Sequence, residues 1–356
     1  MFTLVPKFIR TALLVLTLGL MAAAPAHAAE KKSFKIAWSI YVGWMPWDYA
    51  ASSGILKKWA DKYGIVIELT QINDYVESIN QYTAGGFDGC VMTNMDMLTI
   101  PSAGGVDSTA LIVGDFSNGN DGVVLKGKGK TLANIKGLPV NLVELSVSHY
   151  LLARGLETVG LQERDIKVVN TSDADMVGAY AAADTKAMVT WKPQLSEILA
   201  AKDAQLVFDS SKIPGEIIDL LVVNTATLKD NPKLGKALVG AWYETLKLMS
   251  AKDPKALAHM AKASGTDLAG FNSQLATTKM FWTPAEAHAF VVSPNVIKTM
   301  DLVRKFSFDH GLLGDGAKSA DAVGIEFPGG KTLGNAKSLK MRFDPSFTKM
   351  AVDGAL

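Results

Sequence analysis

The sequence has almost no cysteine, no excess of charge of one sign, and few histidines. Its single cysteine, Cys90, excludes a disulfide within the 356-residue chain. The formal net charge is +1 and no basic stripe is visible, so no nucleic-acid partner is expected. The five histidines lack metal-ligand spacing, and no P-loop, GxGxxG or GxSxG motif occurs. We therefore predict a protein without metal, cofactor or catalytic residues.

Long apolar runs are also rare, and the first lies near the beginning of the chain. Lys7 and Arg10 precede the run Thr11–Met21, which is too short to cross a bilayer comfortably. Ala26–Ala28 then gives a small-x-small cleavage pattern, so residues 1–28 are interpreted as a secretory signal peptide. No cysteine follows the run, which argues against a lipid anchor. We expect a soluble monomer exported to the bacterial periplasm.

The rest of the chain alternates strand and helix signals. Two sets of such units, at about 34–116 and 134–208, predict an α/β protein with two mainly parallel sheets flanked by helices. The run IIDLLVVNT, residues 217–225, is interpreted as a strand that returns to the first sheet. Beyond it the pattern predicts almost only helices.

Aromatic residues are concentrated in YVGWMPWD, residues 41–48. The segment lies between a predicted strand, FKIAWSI, and a predicted helix at 48–63, where open α/β sheets bind ligands. Trp44 and Trp47 are candidate ligand walls, because indole faces attract cations; packing in the core is the alternative for both. Asp48 either caps the helix or binds a ligand N–H group.

Several stretches carry a family resemblance, among them WMPWDYAASSGILKKWADKYGI, YTAGGFDGCVMTNMD and DADMVGAYAAADTKAMVTWKP. They are similar to the periplasmic solute-binding proteins of nitrate-, sulfonate- and taurine-type ABC importers. The first stretch is similar to a branch associated with urea carboxylase, which is labelled urea-type and for which guanidinium is an alternative ligand. The resemblance implies a small-molecule solute and an inner-membrane permease as partners.

The resemblance also implies a type II periplasmic binding fold, in which two lobes close on a ligand in the cleft between them. Residues 29–117 and 217–356, with a helical C-terminal part, are expected to form lobe 1. Residues 118–216 are expected to form lobe 2.

Four more candidates follow from this expected cleft. Asn94 lies in a loop that faces the cleft in the family, and its amide can both donate and accept hydrogen bonds. Glu144 stands where the family often has small polar residues, and Trp191 matches an aromatic at a strand end. Asp219 interrupts an apolar run, so it either pairs internally or meets a cationic ligand.

The acids Asp48, Glu144 and Asp219 favour a nitrogen-rich solute, urea or guanidinium, over an anion. The alternative within transport is a binding protein for a sulfonate such as taurine, or for nitrate. Outside transport, the alternative is an enzyme with the pyrimidine-synthase-like fold.

Overall fold

The structure is a computed structural model that describes residues 31–356. The predicted signal peptide, residues 1–28, lies outside this range. The strands are β1 (Ser33–Trp38), β2 (Val66–Gln71), β3 (Gly89–Thr93), β4 (Ser108–Ser117), β5 (Asp121–Lys126), β6 (Pro139–Leu142), β7 (Lys167–Asn170), β8 (Ala187–Trp191), β9 (Ala204–Asp209), β10 (Ile218–Asn224), β11 (Thr278–Met280), β12 (Gly324–Phe327), β13 (Lys331–Leu333) and β14 (Leu339–Phe343).

Helices cover both sheets and make up most of the C-terminal part. They are α1 (Met45–Ser52), α2 (Ile55–Lys62), α3 (Tyr75–Thr83), α4 (Asn94–Met97), α5 (Val147–Thr158), α6 (Met176–Ala181), α7 (Gln194–Leu199), α8 (Thr225–Asp230), α9 (Pro232–Ser250), α10 (Pro254–Ala263), α11 (Leu268–Leu275), α12 (Pro284–Val291), α13 (Pro294–Asp309) and α14 (Ser346–Val352). The predicted capping box at α12 is present, with Thr283 and Glu286 each bonding the other's backbone N–H.

The strands form two sheets. The first has the order β13-β12-β14-β4-β10-β3-β1-β2, with β11 paired to β4, and the second has the order β7-β6-β8-β5-β9. The α/β architecture with two sheets flanked by helices is confirmed, and the sheets are mixed. The early strand–helix units pair in parallel, as predicted. In contrast, β10 and β5 run antiparallel to both neighbours, because the chain enters these strands directly from the other sheet.

Two local predictions are corrected. In place of the single helix predicted at 48–63, the structure has two helices, α1 and α2. The first begins at Met45, and Gly54, whose φ of +81° is left-handed, separates it from the second. The C-terminal part also contains β11, β12, β13 and β14, where the pattern predicted almost only helices. These strands are three to five residues long, too short to leave a clear alternation.

The two crossings between the sheets lie side by side. Ser117, at the end of β4, is within 2.6 Å of Ser210, hydroxyl to hydroxyl, just after β9. The Ser210 hydroxyl also accepts a 2.8 Å bond from the backbone N–H of Gly119. The Ser117 hydroxyl donates to Asp121, the first residue of β5. The crossings therefore hold the starts of β5 and β10 close together, next to the cavity described below.

Candidate ligand-binding site

A small cavity lies between the two sheets, at strand ends and helix starts. All of its lining residues are buried, and they are Tyr41, Trp44, Tyr75, Thr93, Asp121, Val147, Trp191, Ile217 and Asp219. About 20 Å³ is open to the centre of a water-sized sphere. A single water needs at least about 10–15 Å³ by the same measure, so the open space is that of about one water and excludes a large solute.

Four aromatic rings form a continuous wall. Tyr41 meets Trp44 edge to face with ring centroids 5.0 Å apart, and Trp44 stacks on Tyr75 at 5.8 Å. Tyr75 meets the edge of Trp191 at 5.6 Å. Tyr41 and Trp44 belong to the turn between β1 and α1, whereas Trp191 ends β8 in the second sheet. The wall is therefore built from both sheets.

The turn that carries Tyr41 and Trp44 passes directly over a buried acid. A β-carbon on Gly43 would lie 2.5 Å from the Oδ2 atom of Asp115 and 2.5 Å from the Tyr41 ring. Only glycine permits this approach without displacing one of the two groups. The Tyr41 hydroxyl in turn donates a 2.9 Å hydrogen bond to Oδ1 of Asp115.

Three carboxyl groups are concentrated on one side of the cavity. Asp219 on β10 is the register partner of Asp115 on β4, so the two side chains are neighbours. Asp121, the register partner of Trp191, approaches from the second sheet. Burial raises the pKa of Asp219 well above its usual value, and repulsion from Asp115 and Asp121 raises it further. Burial raises the pKa of Asp121 to about 7.

A fourth acid, Asp96, lies behind the aromatic wall. Its Oδ2 atom accepts hydrogen bonds from the Tyr75 hydroxyl at 2.6 Å and from the Thr93 hydroxyl at 2.9 Å. Burial raises the pKa of Asp96 to about 6, although these bonds and one from the backbone N–H of Val147 lower it. Val147 is the first residue of α5. An internal carboxylate thus faces the helix start, a position that commonly binds anionic ligands.

Trp44, Trp191 and Asp219, all predicted as site residues, line this cavity. Trp47 is placed in the core instead, with its ring 5.0 Å from that of Trp242. Asp48 lies in the first turn of α1, where its carboxylate is 2.6 Å from His259 Nε2. The Ser52 hydroxyl is 3.1 Å from the same nitrogen. Since a catalytic relay needs both ring nitrogens, this Ser-His-Asp group is not one.

Asn94 and Glu144 are also placed outside the cavity lining. The Asn94 amide accepts from the backbone N–H of Ile218 at 3.0 Å and donates to the carbonyl of Glu216 at 3.1 Å. It therefore fixes the start of β10 just before Asp219. Glu144 is exposed, and its backbone N–H donates to the Asn170 side chain at 3.0 Å.

Sequence reasoning missed Tyr41, Tyr75, Asp115 and Asp121 as parts of the site. Asp115 interrupts the apolar strand β4 in the same way that Asp219 interrupts β10, so the same signal was present. Asp121 begins the predicted strand DGVVLK, and Tyr41 opens the aromatic segment. Tyr75 gave no signal beyond its place at the start of a helix.

Neither a metal site nor a membrane span is found in the part of the chain that the structure describes. No group of three or more His, Cys, Asp or Glu side chains in residues 31–356 has the arrangement to hold a metal ion. No helix in the same range is long and apolar enough to cross a bilayer.

Comparisons with known proteins find one family and many similar folds. The profile of the NMT1-like family matches residues 27–264. No curated protein matches the chain in a sequence comparison. Among solved structures, the alkanesulfonate-binding protein SsuA from Xanthomonas axonopodis pv. citri, bound to MOPS, has a TM-score of 0.68 at 19% identity, covering 83% of this chain and 99% of its own.

Two further structures show the range of functions on this fold. The periplasmic nitrate-binding protein NrtA from Synechocystis PCC 6803 has a TM-score of 0.56 at 12% identity and covers 92% of this chain and 99% of its own. The desulfurization enzyme DSZB has a TM-score of 0.57 at 13% identity and covers 92% of this chain and 100% of its own. At such identities the likeness establishes the fold and leaves the ligand to the site.

Proposed function

The chain belongs to the NMT1-like family, and we propose that it is the periplasmic solute-binding component of an ABC importer. The fold likeness to sulfonate- and nitrate-binding proteins supports this role. So does a small cavity whose walls come from two sheets, which is typical of binding proteins that close on their ligand. Delivery to a membrane permease and export by a cleaved signal peptide are parts of the same proposal.

We further propose that the solute is a small nitrogen-rich molecule, guanidinium in the first place and urea as the alternative. One observation carries this choice: Asp121 and Asp219 line the cavity, and none of its described lining residues is basic. Buried carboxylates need a cation or hydrogen-bond donors close by. A ligand rich in N–H groups supplies both.

The residues that line the cavity offer contacts to a flat cation. Guanidinium can donate two parallel hydrogen bonds to one carboxylate, here Asp219 or Asp121. Its faces can then meet the rings of Trp44, Tyr75 and Trp191, an attraction of about 0.5–2 kcal/mol per ring. Urea presents a similar N–H edge without the charge, so it gains less from the acids.

An anionic solute is the alternative that the sulfonate- and nitrate-binding neighbours suggest. Two features of this chain oppose it. Asp121 and Asp219 would repel an anion at close range when ionised. At the start of α5 the carboxylate of Asp96 already accepts from the backbone N–H of Val147, one of the groups that would otherwise hold an anion.

An enzyme is the alternative that DSZB represents. The cysteine of this chain gives no support to it. Cys90 is fully buried in β3, and burial raises the pKa of its thiol to about 12. Such a thiol is not ionised at neutral pH, so it cannot act as a nucleophile there.

Calorimetry with purified protein tests the proposal. We expect guanidinium to bind, urea to bind more weakly, and taurine and nitrate not to bind. Asp219→Asn should weaken guanidinium binding roughly ten- to hundredfold, because hydrogen bonds to a charged partner are worth about 1.5–3 kcal/mol.

A matched control is Asp88→Asn. Asp88 is also a buried acid beside β3, but it accepts the backbone N–H of Lys35 at the end of the sheet opposite the cavity. This substitution should leave guanidinium affinity unchanged. Tight binding of taurine or nitrate by the unmodified protein would contradict the assigned ligand class.

A further inference from the structure

We propose that Asp115 and Asp219 share one proton in the ligand-free protein and that a cation entering the cavity displaces this proton. The inference rests on the proposed function, because it concerns the same cavity. It assigns a role to Asp115, which does not line the cavity. In this role Asp115 is a positioning residue that determines which ligand charge the site accepts.

The geometry brings the two carboxyl groups together. Their residues are partners on the antiparallel strands β4 and β10, and both side chains are buried. The Oδ2 atom of each lacks a hydrogen-bond partner within residues 31–356. Two buried carboxylates side by side cannot both be ionised without a large cost, so one proton between them is the favoured state.

The charged and titratable groups around the pair favour the same state. Tyr41, on the turn after β1, donates its hydroxyl hydrogen to Asp115. Asp121, on β5, adds negative charge that raises the pKa of both acids. The groups that act most strongly on the pKa of the pair are thus a phenol and another acid, and none of them is a cation. Burial raises the pKa of Asp115 to about 7, which agrees with a proton being held near neutral pH.

Charge balance then distinguishes the two candidate ligands. When guanidinium binds at Asp219, its positive charge replaces that of the proton, and the proton leaves to solvent. When neutral urea binds, no charge is added and the proton stays. We therefore expect about one proton to be released per guanidinium and about none per urea.

The pH dependence follows with a definite sign. Below the pKa of the ligand-free pair, guanidinium must displace a proton, so its affinity rises about tenfold per pH unit as pH increases. Above that pKa the pair is already ionised and the affinity levels off. Urea affinity should change much less over the same range.

Calorimetry in several buffers measures the proton directly. The enthalpy of guanidinium binding is determined at one pH near neutrality in buffers of different ionisation enthalpy, and the slope gives the number of protons released. Asp115→Asn should reduce the number of protons released, since it removes the repulsion that raises the pKa of Asp219 and supplies an amide that can donate to it. Asp88→Asn changes a buried acid away from the pair, so it should leave the number of released protons unchanged.

An infrared measurement on ligand-free protein provides a readout that does not need a ligand. A protonated carboxyl has a C=O stretching band that a carboxylate lacks. We expect this band in the unmodified protein and a weaker band in Asp115→Asn, because Asp121, whose pKa burial raises to about 7, also contributes to it near neutral pH. If Asp115→Asn does not fold, Tyr41→Phe is the second variant. Without the hydrogen bond from the Tyr41 hydroxyl, the pair holds its proton more tightly. The pH at which guanidinium affinity levels off should therefore be higher in this variant.

The outcomes separate the two proposals. Guanidinium binding with no proton release, or with the same release from Asp115→Asn, would overturn the shared proton and leave the proposed ligand standing. Absence of guanidinium binding would overturn the proposed ligand. In that case, an infrared band of equal intensity in the unmodified protein and in Asp115→Asn would independently overturn the shared proton.

Discussion

Two tryptophans three residues apart have different roles in this protein. Trp44 immediately precedes α1 and lines the cavity, whereas Trp47 lies in the first turn of α1 and packs on Trp242. The sequence could not separate them, because their roles depend on where the helix begins. A helix that begins at Met45 turns Trp47 toward the core and leaves Trp44 in the turn above the acids.

A tryptophan of the cavity wall and the tryptophan in the core should respond differently to the same substitution. Trp191→Leu removes a ring from the cavity wall and should weaken guanidinium binding by about 0.5–2 kcal/mol, roughly two- to thirtyfold. Trp47→Leu should instead lower the free energy of unfolding by about 2–5 kcal/mol, because it leaves a void in the core.

Calorimetry measures the first effect and thermal unfolding the second. Heat is the suitable denaturant, since guanidinium and urea are the proposed ligands. Equal loss of affinity in Trp47→Leu and Trp191→Leu would contradict the assignment of Trp47 to the core.

At the scale of elements, periodicity predicts what is local. The runs that became β3, β5, β8 and β10 are continuous and apolar because each is buried in the interior of a sheet, so the sequence located them. Which strands pair is not a local property, so the sequence pattern could not predict it. The juxtaposition of Asp115 and Asp219 exists only because β4 and β10 are neighbours although about a hundred residues separate them.

The turn between β1 and α1 gives a prediction of its own. Gly43→Ala would place a methyl group 2.5 Å from the Asp115 carboxylate and from the Tyr41 ring, so the turn must move. We expect loss of guanidinium binding together with a lower melting temperature. Gly178→Ala in α6 is the control, because no heavy atom other than those of its chain neighbours and its own helix backbone lies within 4 Å of the added carbon, and alanine favours helix by up to about 1 kcal/mol.

Binding and melting of both variants are compared with the unmodified protein. Gly178→Ala should bind normally and melt at the same temperature or slightly higher. Normal binding by Gly43→Ala would show that the close approach of the turn to Asp115 is not needed for the site.

At the scale of the whole molecule, ionic contacts join distant parts of the chain beside the cavity. Glu216, just before β10, accepts hydrogen bonds from Arg154 at 2.9 Å and Tyr150 at 2.6 Å, both on α5. Glu163 pairs with His149 on α5 and, at 3.0 Å, with His310 after α13. These contacts link helices of the second sheet to elements of the first, so they stabilise the arrangement that encloses the cavity.

The histidine contacts make this arrangement depend on pH. Burial alone would raise the pKa of Glu163, but hydrogen bonds from His149 and His310 lower it to about 2. Burial alone would lower the pKa of His310, but the bond to Glu163 raises it above its usual value. The contribution of Glu163 is therefore present above about pH 4.3 and lost toward pH 2. That of His310 is complete below about pH 6.5 and lost as pH rises through its raised pKa.

Glu163→Gln tests this dependence. The substitution should lower the melting temperature more at about pH 5.5, where Glu163 and His310 are both charged, than at a pH above the raised pKa of His310, where this imidazole is neutral. Glu157→Gln is the control, because Glu157 is exposed and pairs with Arg154, which stays charged throughout. An equal loss for Glu163→Gln at both pH values would contradict the ionic role of this cluster.

The burial of every residue around the cavity also bears on how fast a bound molecule can leave. Once walls from both sheets close over a molecule, it cannot diffuse out until they part. Its rate of escape cannot exceed the rate at which the sheets part, whatever the strength of its contacts. Two solutes of different affinity would then share one upper limit on their release rate, and that limit would be set by the opening of the protein rather than by the solute.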